Sequence, residues 1–223
     1  MKKEPACDLA KFIDFTFLGA AGDGSAIREL CRTARTHGFA SVCVNPAEIE
    51  LASRLLRGSS VKVCTVIGFP LGQATTSVKC VEARDAIARG AQELDFVVNQ
   101  RLLRTAPDRC LDELKALVVA CREAPVTLGL PAPLTKLILE CCNLTKAEIV
   151  RGCRLARQAG FDFVKTSTGF GKSGATVEDV RLMRKTVGRE LGVKAAGGIR
   201  TRDAALAMIA AGATRIGASA CIA

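Results

Sequence analysis

Tryptophan and tyrosine are absent from this 223-residue sequence, and histidine occurs once, at position 37. With neither Trp nor Tyr, and with its nine Phe mostly in strand-like runs, the chain lacks the stacking platform that single-stranded nucleic acids need. One imidazole cannot furnish the several His ligands a catalytic zinc ordinarily takes, and His37 stands beside Gly38 at a helix end, where capping is the simpler role. No C-x-x-C pair occurs, and the adjacent Cys141 and Cys142 have no partners at the spacing of a structural zinc site, so no metal and no cofactor are expected. Apolar runs fall far short of the ~18 residues that span a bilayer, and no signal-like stretch follows the basic N-terminus. A soluble, cytoplasmic protein without a membrane partner is the expectation.

Eleven cysteines, an odd number scattered through apolar stretches, read as small buried hydrophobes in a reducing compartment rather than as a disulfide framework. The net charge of +10 is compatible with nucleic acid, an anionic small molecule or a generally basic proteome. Its pattern argues against nucleic acid, since Arg151, Arg154 and Arg157 recur at helical spacing as a solvated face. With 49% hydrophobic residues, the chain can bury the core of one domain covering residues 1–223.

Short β-branched and aromatic runs alternate with amphipathic segments of about a dozen residues, the pattern of repeated βα units. Strand-like runs fall at 12–17, 41–44, 61–67, 94–98, 135–139, 161–166, 193–195 and 215–217. Ser25, Thr75, Thr145 (a capping box with Glu148) and Thr176 (with Asp179) are expected to open helices. Gly38, Gly90, Gly160 and Gly212 are placed to close them, and 125–133, bounded by prolines, reads as a loop. Eight such units predict an α/β fold of the closed (β/α)8 TIM-barrel type. An open nucleotide-binding sheet would carry its glycine fingerprint after the first strand, whereas the one match, Gly169, Gly171 and Gly174, follows the sixth. Lys172 and Ser173 hint at a P-loop, but Thr166 occupies a position where that motif needs glycine.

Barrel enzymes work at the C-terminal ends of their strands, and there four charged residues need explaining: Asp95 on strand four, Lys136 on strand five, Lys165 on strand six and Lys194 on strand seven. Desolvating an ammonium is costly, so three lysines inside hydrophobic runs point to chemistry. An isolated lysine is neutral in only about one molecule in 2,500 at pH 7. A second ammonium and desolvation lower an amine's pKa, the recognised way to make it attack a carbonyl and form a Schiff base. Asp95 can hold one amine charged and pass protons while another stays neutral. The lone imidazole, before strand two, lies on the wrong side of a barrel for Ser-His-Asp hydrolysis. Small residues after strand six (166–169), strand seven (196–198) and strand eight (217–219) offer backbone N–H groups where barrels often bind phosphate.

The blocks FVKTSTGF (163–170), VKAAGGIR (193–200), ELDFVVN (93–99), VKVCTVIGFPLG (61–72) and SVCVNP (41–46) resemble, in order, the signature blocks of the deoxyribose-phosphate aldolase family. The resemblance implies reversible cleavage of 2-deoxy-D-ribose 5-phosphate to D-glyceraldehyde 3-phosphate and acetaldehyde, through an imine on Lys165. It makes Lys194 and Asp95 the proton-relay pair and places Lys136, Asp14, Thr16 and Cys43 at substrate-binding positions. Gly169, Gly197, Gly198, Gly217 and Ser219 match phosphate contacts. It further implies a homo-oligomer, with a dimer favoured, and small sugar-phosphate and aldehyde partners. The sequence departs from the family pattern at Phe15, Gly19 and Cys141 and across 126–132. Two other readings fit the charges and glycine loops: a sugar-phosphate barrel enzyme that forms no imine, and a basic binding protein without turnover.

Overall fold

A computed structural model describes residues 8–20 and 24–220. Its eight strands are β1 (Ile13–Phe17), β2 (Ser41–Val44), β3 (Lys62–Ile67), β4 (Glu93–Val97), β5 (Leu134–Ile138), β6 (Phe163–Lys165), β7 (Gly192–Ala196) and β8 (Arg215–Ala218). Every neighbouring pair is parallel, and β8 returns to β1 to close a barrel. Each expected strand is present; 41–44 is matched at both ends, and the others differ by no more than two residues at either end. The helices are α1 (Gly24–His37), α2 (Ile49–Leu56), α3 (Thr76–Ala88), α4 (Gln100–Thr105), α5 (Pro107–Leu128), α6 (Lys146–Ala159), α7 (Val177–Val187) and α8 (Arg202–Ala210). This is the (β/α)8 architecture that the repeating pattern predicts. No helix among the described residues is long and apolar enough to cross a membrane.

The caps are largely as expected. Thr75, Thr145 and Thr176 each accept a hydrogen bond from the backbone three residues on, and Glu148 completes the Thr145 capping box. Gly38, Gly90, Gly160 and Gly212 all adopt positive φ before the next strand. Two expectations need correction. The helix containing Ser25 already begins at Gly24, so Ser25 lies in its first turn rather than at its cap. Residues 125–128 are helical, because α5 runs through Pro125 to Leu128 and ends at Gly129 in the left-handed conformation. Pro125 continues the buried face of Leu114, Leu117, Val118 and Cys121, so packing outweighs the one ladder hydrogen bond that a proline near the helix end forfeits.

Strand alternation sorts the core into two layers. Ile13, Val42, Val44, Leu94, Phe96, Leu137, Val164, Val193 and Ile216 face the helices in one continuous apolar cluster. Phe96 there meets Phe161 edge-on, with ring centroids 5.7 Å apart. The alternate residues point into the barrel, where Asp14, Ser41, Glu93, Asp95, Lys136, Lys165 and Lys194 are all buried. The interior is therefore a polar charge network beside a small patch of Cys43, Cys64 and Val66, capped by Leu18 and Phe69.

Candidate active site

The pleat that sends Leu94 and Phe96 outward sends Asp95 inward, and ladder register puts Asp95 level with Lys136 and Lys165 level with Lys194. Four sequence-predicted residues from four successive strands thus converge. Asp95 is the hub. One carboxylate oxygen, Oδ1, accepts from Lys136 Nζ at 2.8 Å, while Oδ2 accepts from Lys165 Nζ at 2.7 Å and Lys194 Nζ at 2.8 Å. Of the three lysines, Lys165 alone ends its strand and lines a cavity; it is 3% exposed, against 0% for Lys136 and Lys194. Asp95, Lys136 and Lys194 sit mid-strand, one layer below the strand ends where the sequence pattern places catalytic groups.

Beneath the hub lies a second tier in which Asp14 is joined by Glu93 and Arg215, two residues that the sequence does not single out. Lys136 Nζ is 2.6 Å from Glu93, and Arg215 binds both Glu93 and Asp14. Asp14 Oδ2 has no aligned hydrogen-bond donor, but Lys194 Nζ stands 2.5 Å away as an ion pair, and Ser41 donates to Oδ1 at 2.6 Å. Burial alone would push the Asp14 and Asp95 carboxyls up; the surrounding lysines, joined at Asp14 by Arg215, hold both well below the usual carboxylate range. Burial likewise opposes charge on Lys136 and Lys194, and the carboxylates win, raising both above the ordinary lysine value. The resting form of both amines is therefore the protonated one. The network holds four cations (Lys136, Lys165, Lys194, Arg215) and three carboxylates (Asp14, Glu93, Asp95), one positive charge in excess.

The cavity above Lys165 has a volume of about 270 Å³. Thr16, Gly169, Gly197, Gly198, Gly217 and Ser219 line it. Asp14, Cys43 and Lys136, which the resemblance places at substrate positions, are fully buried below its surface and do not line it. Leu18, Phe170 and Arg200 do, and nothing in the residue pattern singles them out. Gly197 and Gly198 take successive positive φ values of 85° and 77°, forming a tight turn at the rim. Gly174 packs against that turn so closely that a Cβ there would fall 2.0 Å from the Gly197 carbonyl oxygen. Close loop packing thus accounts for the last glycine of the G-x-G-x-x-G match.

Glu140 is a further residue missed from the sequence. It holds φ at 55°, an uncommon conformation for a residue with a side chain, and accepts from the Thr168 backbone N–H and hydroxyl. This contact fixes the loop that follows Lys165. Among the described residues, one group of three metal-capable side chains comes together, Cys43, Cys64 and Asp95. Both Asp95 oxygens are already engaged by ammonium groups that repel a cation, so the donor set does not suit a metal ion.

Comparison with known proteins matches the geometry. The DeoC/LacD family aldolase profile matches residues 9–222. A deoxyribose-phosphate aldolase of Clostridium perfringens (strain 13 / Type A) is 53% identical over 216 residues, covering 96% of this chain and 93% of that protein. Among solved structures, the aldolase QR15 superposes with a TM-score of 0.88 at 40% identity, covering 96% of this chain and 92% of the other. A tetrameric deoxyribose phosphate aldolase from Aeropyrum pernix gives a TM-score of 0.86 at 34% identity, covering 95% and 86%. A closed barrel with a lysine at the end of its sixth strand and a shared carboxylate beneath it accords with that match, and the chain belongs to the DeoC/LacD family of aldolases.

Proposed function

We propose that the protein is a deoxyribose-phosphate aldolase that reversibly cleaves 2-deoxy-D-ribose 5-phosphate to D-glyceraldehyde 3-phosphate and acetaldehyde through a Schiff base on Lys165. The observation that carries this reading is that one amine, Lys165, opens onto a glycine-lined cavity while hydrogen-bonded to the carboxylate it shares with Lys194.

The neutral Lys165 amine adds to the C1 aldehyde of the open-chain sugar, and the carbinolamine loses water to give an imine. Removal of the C3 hydroxyl proton breaks the C2–C3 bond. Its electrons pass into the imine to leave an enamine, and glyceraldehyde 3-phosphate departs. Protonation at C2 and hydrolysis then free acetaldehyde and return the amine. Lys194 and Asp95 carry the protons, since Lys194 Nζ and Lys165 Nζ meet at the same Asp95 oxygen. Releasing one proton from the network removes its excess charge. Lys136, Asp14, Glu93 and Arg215 hold the relay in place from below, and no metal or cofactor enters the reaction.

Treatment with acetaldehyde and borohydride, followed by peptide mapping, tests the reading directly. A reduced ethyl adduct on Lys165 is expected, and an adduct confined to other lysines overturns it. Lys194→Arg keeps the charge but gives up protons poorly, so trapping is expected to survive while kcat drops about 10²- to 10⁴-fold. Full turnover in that variant removes Lys194 from the relay.

Gly169, Gly197, Gly198, Gly217 and Ser219 bind the substrate phosphate in this reading, with Thr16 on the sugar side. 2-Deoxyribose lacking its phosphate should then react with kcat/KM lower by about 10²-fold or more, the worth of one or two charge-assisted hydrogen bonds used to position the reacting carbon. Equal efficiency on the two sugars assigns these loops another role. Assembly as a homo-oligomer, a dimer by the family resemblance, and a cytoplasmic location belong to the same reading. The exposed Leu71, Val78 and Val81 supply an apolar surface for self-association, and the nine described cysteines, all free, suit a reducing compartment.

A further inference from the structure

Cys43 and Cys64 have no part in the reaction above, yet they lie inside the barrel against its hub. They are Cα partners on the adjacent strands β2 and β3. Both side chains point inward, and their sulfurs lie within 4.8 Å of each other and of an Asp95 oxygen. Neighbouring strands run about 4.8 Å apart, inside the ~4.4–6.8 Å Cα span of disulfides. Cys64 Sγ donates to Asp95 Oδ1 at 3.3 Å and accepts from Lys136 Nζ at 3.4 Å. Most of the other described cysteines are buried outside the barrel, on the helices.

We propose that Cys43 and Cys64 form a reversible oxidation site, whose disulfide, made by a hydroperoxide, disables the amine cluster by withdrawing Cys64 from Asp95. The two thiols are not equivalent. The adjacent Cys64 sulfur and the charge of Lys194 hold the Cys43 thiol below its usual range against the effect of burial, while burial pushes the Cys64 thiol up. Cys43 is thus the attacking sulfur. Its thiolate displaces hydroxide from hydrogen peroxide as the O–O bond breaks, giving a sulfenic acid. The Cys64 sulfur then attacks it, the S–S bond forms, the S–O bond breaks and water leaves. In sum, two thiols give up two electrons and two protons, and the peroxide becomes two waters. The pair lies under Leu18 and Phe69, so a molecule as small as a peroxide is the oxidant this site suits. In the oxidised state Asp95 Oδ1 has lost one of its two donors, and Lys136 alone holds the oxygen that Cys64 had helped to fix.

Peptide mapping without reductant, on full-length protein exposed to hydrogen peroxide, tests the site. The expected result is a Cys43–Cys64 linked peptide, with retro-aldol turnover lower by about tenfold or more, the worth of one hydrogen bond to a charged group, and restored by dithiothreitol. Oxidised Cys43 without linkage, thiols that remain alkylatable, or linkage with unchanged turnover each overturns the proposal. Cys64→Ala removes the resolving sulfur, so Cys43 should pass through the sulfenic acid to the sulfinic acid, which dithiothreitol does not reverse. Should that variant not fold, the linked peptide of the unsubstituted protein still decides. The turnover arm rests on the aldolase reading and the peptide arm does not, so failure of one is separable from failure of the other.

Discussion

Lys165→Met is expected to reduce cleavage of 2-deoxy-D-ribose 5-phosphate by a factor on the order of 10⁴ to 10⁶, the range seen when a covalent nucleophile is removed from an otherwise intact site. The other two lysines on Asp95, Lys136 and Lys194, do not open onto the cavity, so neither can take over. Methionine fills most of the lysine's volume and leaves no uncompensated charge at the cavity floor, so the variant should fold. Thermal unfolding and the circular dichroism spectrum check this, and borohydride trapping with acetaldehyde should yield no adduct on the 163–170 segment. Turnover within about tenfold of the parent protein would show that the cavity amine is not the nucleophile.

Asp95→Asn should cost both activity and stability. Three ammonium groups share this one carboxylate. Breaking a buried ion pair by removing one partner typically costs about 3–5 kcal/mol, because the remaining charge is left uncompensated. A loss in that range is expected in denaturant unfolding at pH 7, together with a fall in kcat of about 10²- to 10⁴-fold from the missing relay. The pH dependence carries a sign. The Asp95 carboxyl is held below its ordinary value by Lys136, Lys165 and Lys194 against the effect of burial. A depressed folded-state pKa contributes stability that is fully present above the unfolded value of about 3.9 and is lost as pH falls from there toward the folded value. The parent protein should therefore shed this contribution only in acid, whereas the variant lacks it at neutral pH and shows a shallower acid limb. Unfolding curves that coincide at pH 7 would mean that the three amines find other partners.

The parts of the fold and site that were legible in sequence are those with local or periodic signals. Asp95, Lys136 and Lys194 stood out because a charge within a hydrophobic strand run has few explanations, and strand spacing alone makes neighbours of Lys165 and Lys194. Caps such as Thr145 with Glu148 are readable because both partners lie within one turn. Pro125 misled because a proline signals a break only while nothing opposes it, and the buried face that carries α5 past it is a tertiary fact. Glu93 and Arg215 escaped notice because each lies at a strand's entry end, where a charge ordinarily meets solvent. Their pairing across 122 residues leaves no local trace. The same holds for Glu140 and for Lys79, whose ammonium is buried on Glu113 at 2.8 Å between α3 and α5. The line between residues that touch the cavity and residues that support it was also illegible, since Asp14 and Thr16, two positions apart on one strand face, differ only in depth.

The second tier of charges beneath Lys165 also bears on how the chain assembles. Arg215 reaches Asp14 across 201 residues, and Lys194 reaches Asp95 across 99. During synthesis the first strand emerges with a carboxylate whose strongest partners have not yet been made, and the middle strands carry lysines awaiting the same closure. Burying those groups early would strand unpaired ions, so a compact half-barrel is disfavoured until β8 can dock against β1. Contacts of such long sequence separation make loop closure the slow event and bind the two ends of the chain into one cooperative transition. The order of events follows: helices and the outer apolar layer can gather first, and the catalytic charges come together only with the last strand. Recovery of enzyme activity during refolding should accordingly track closure of the β1–β8 seam rather than the gain of helix.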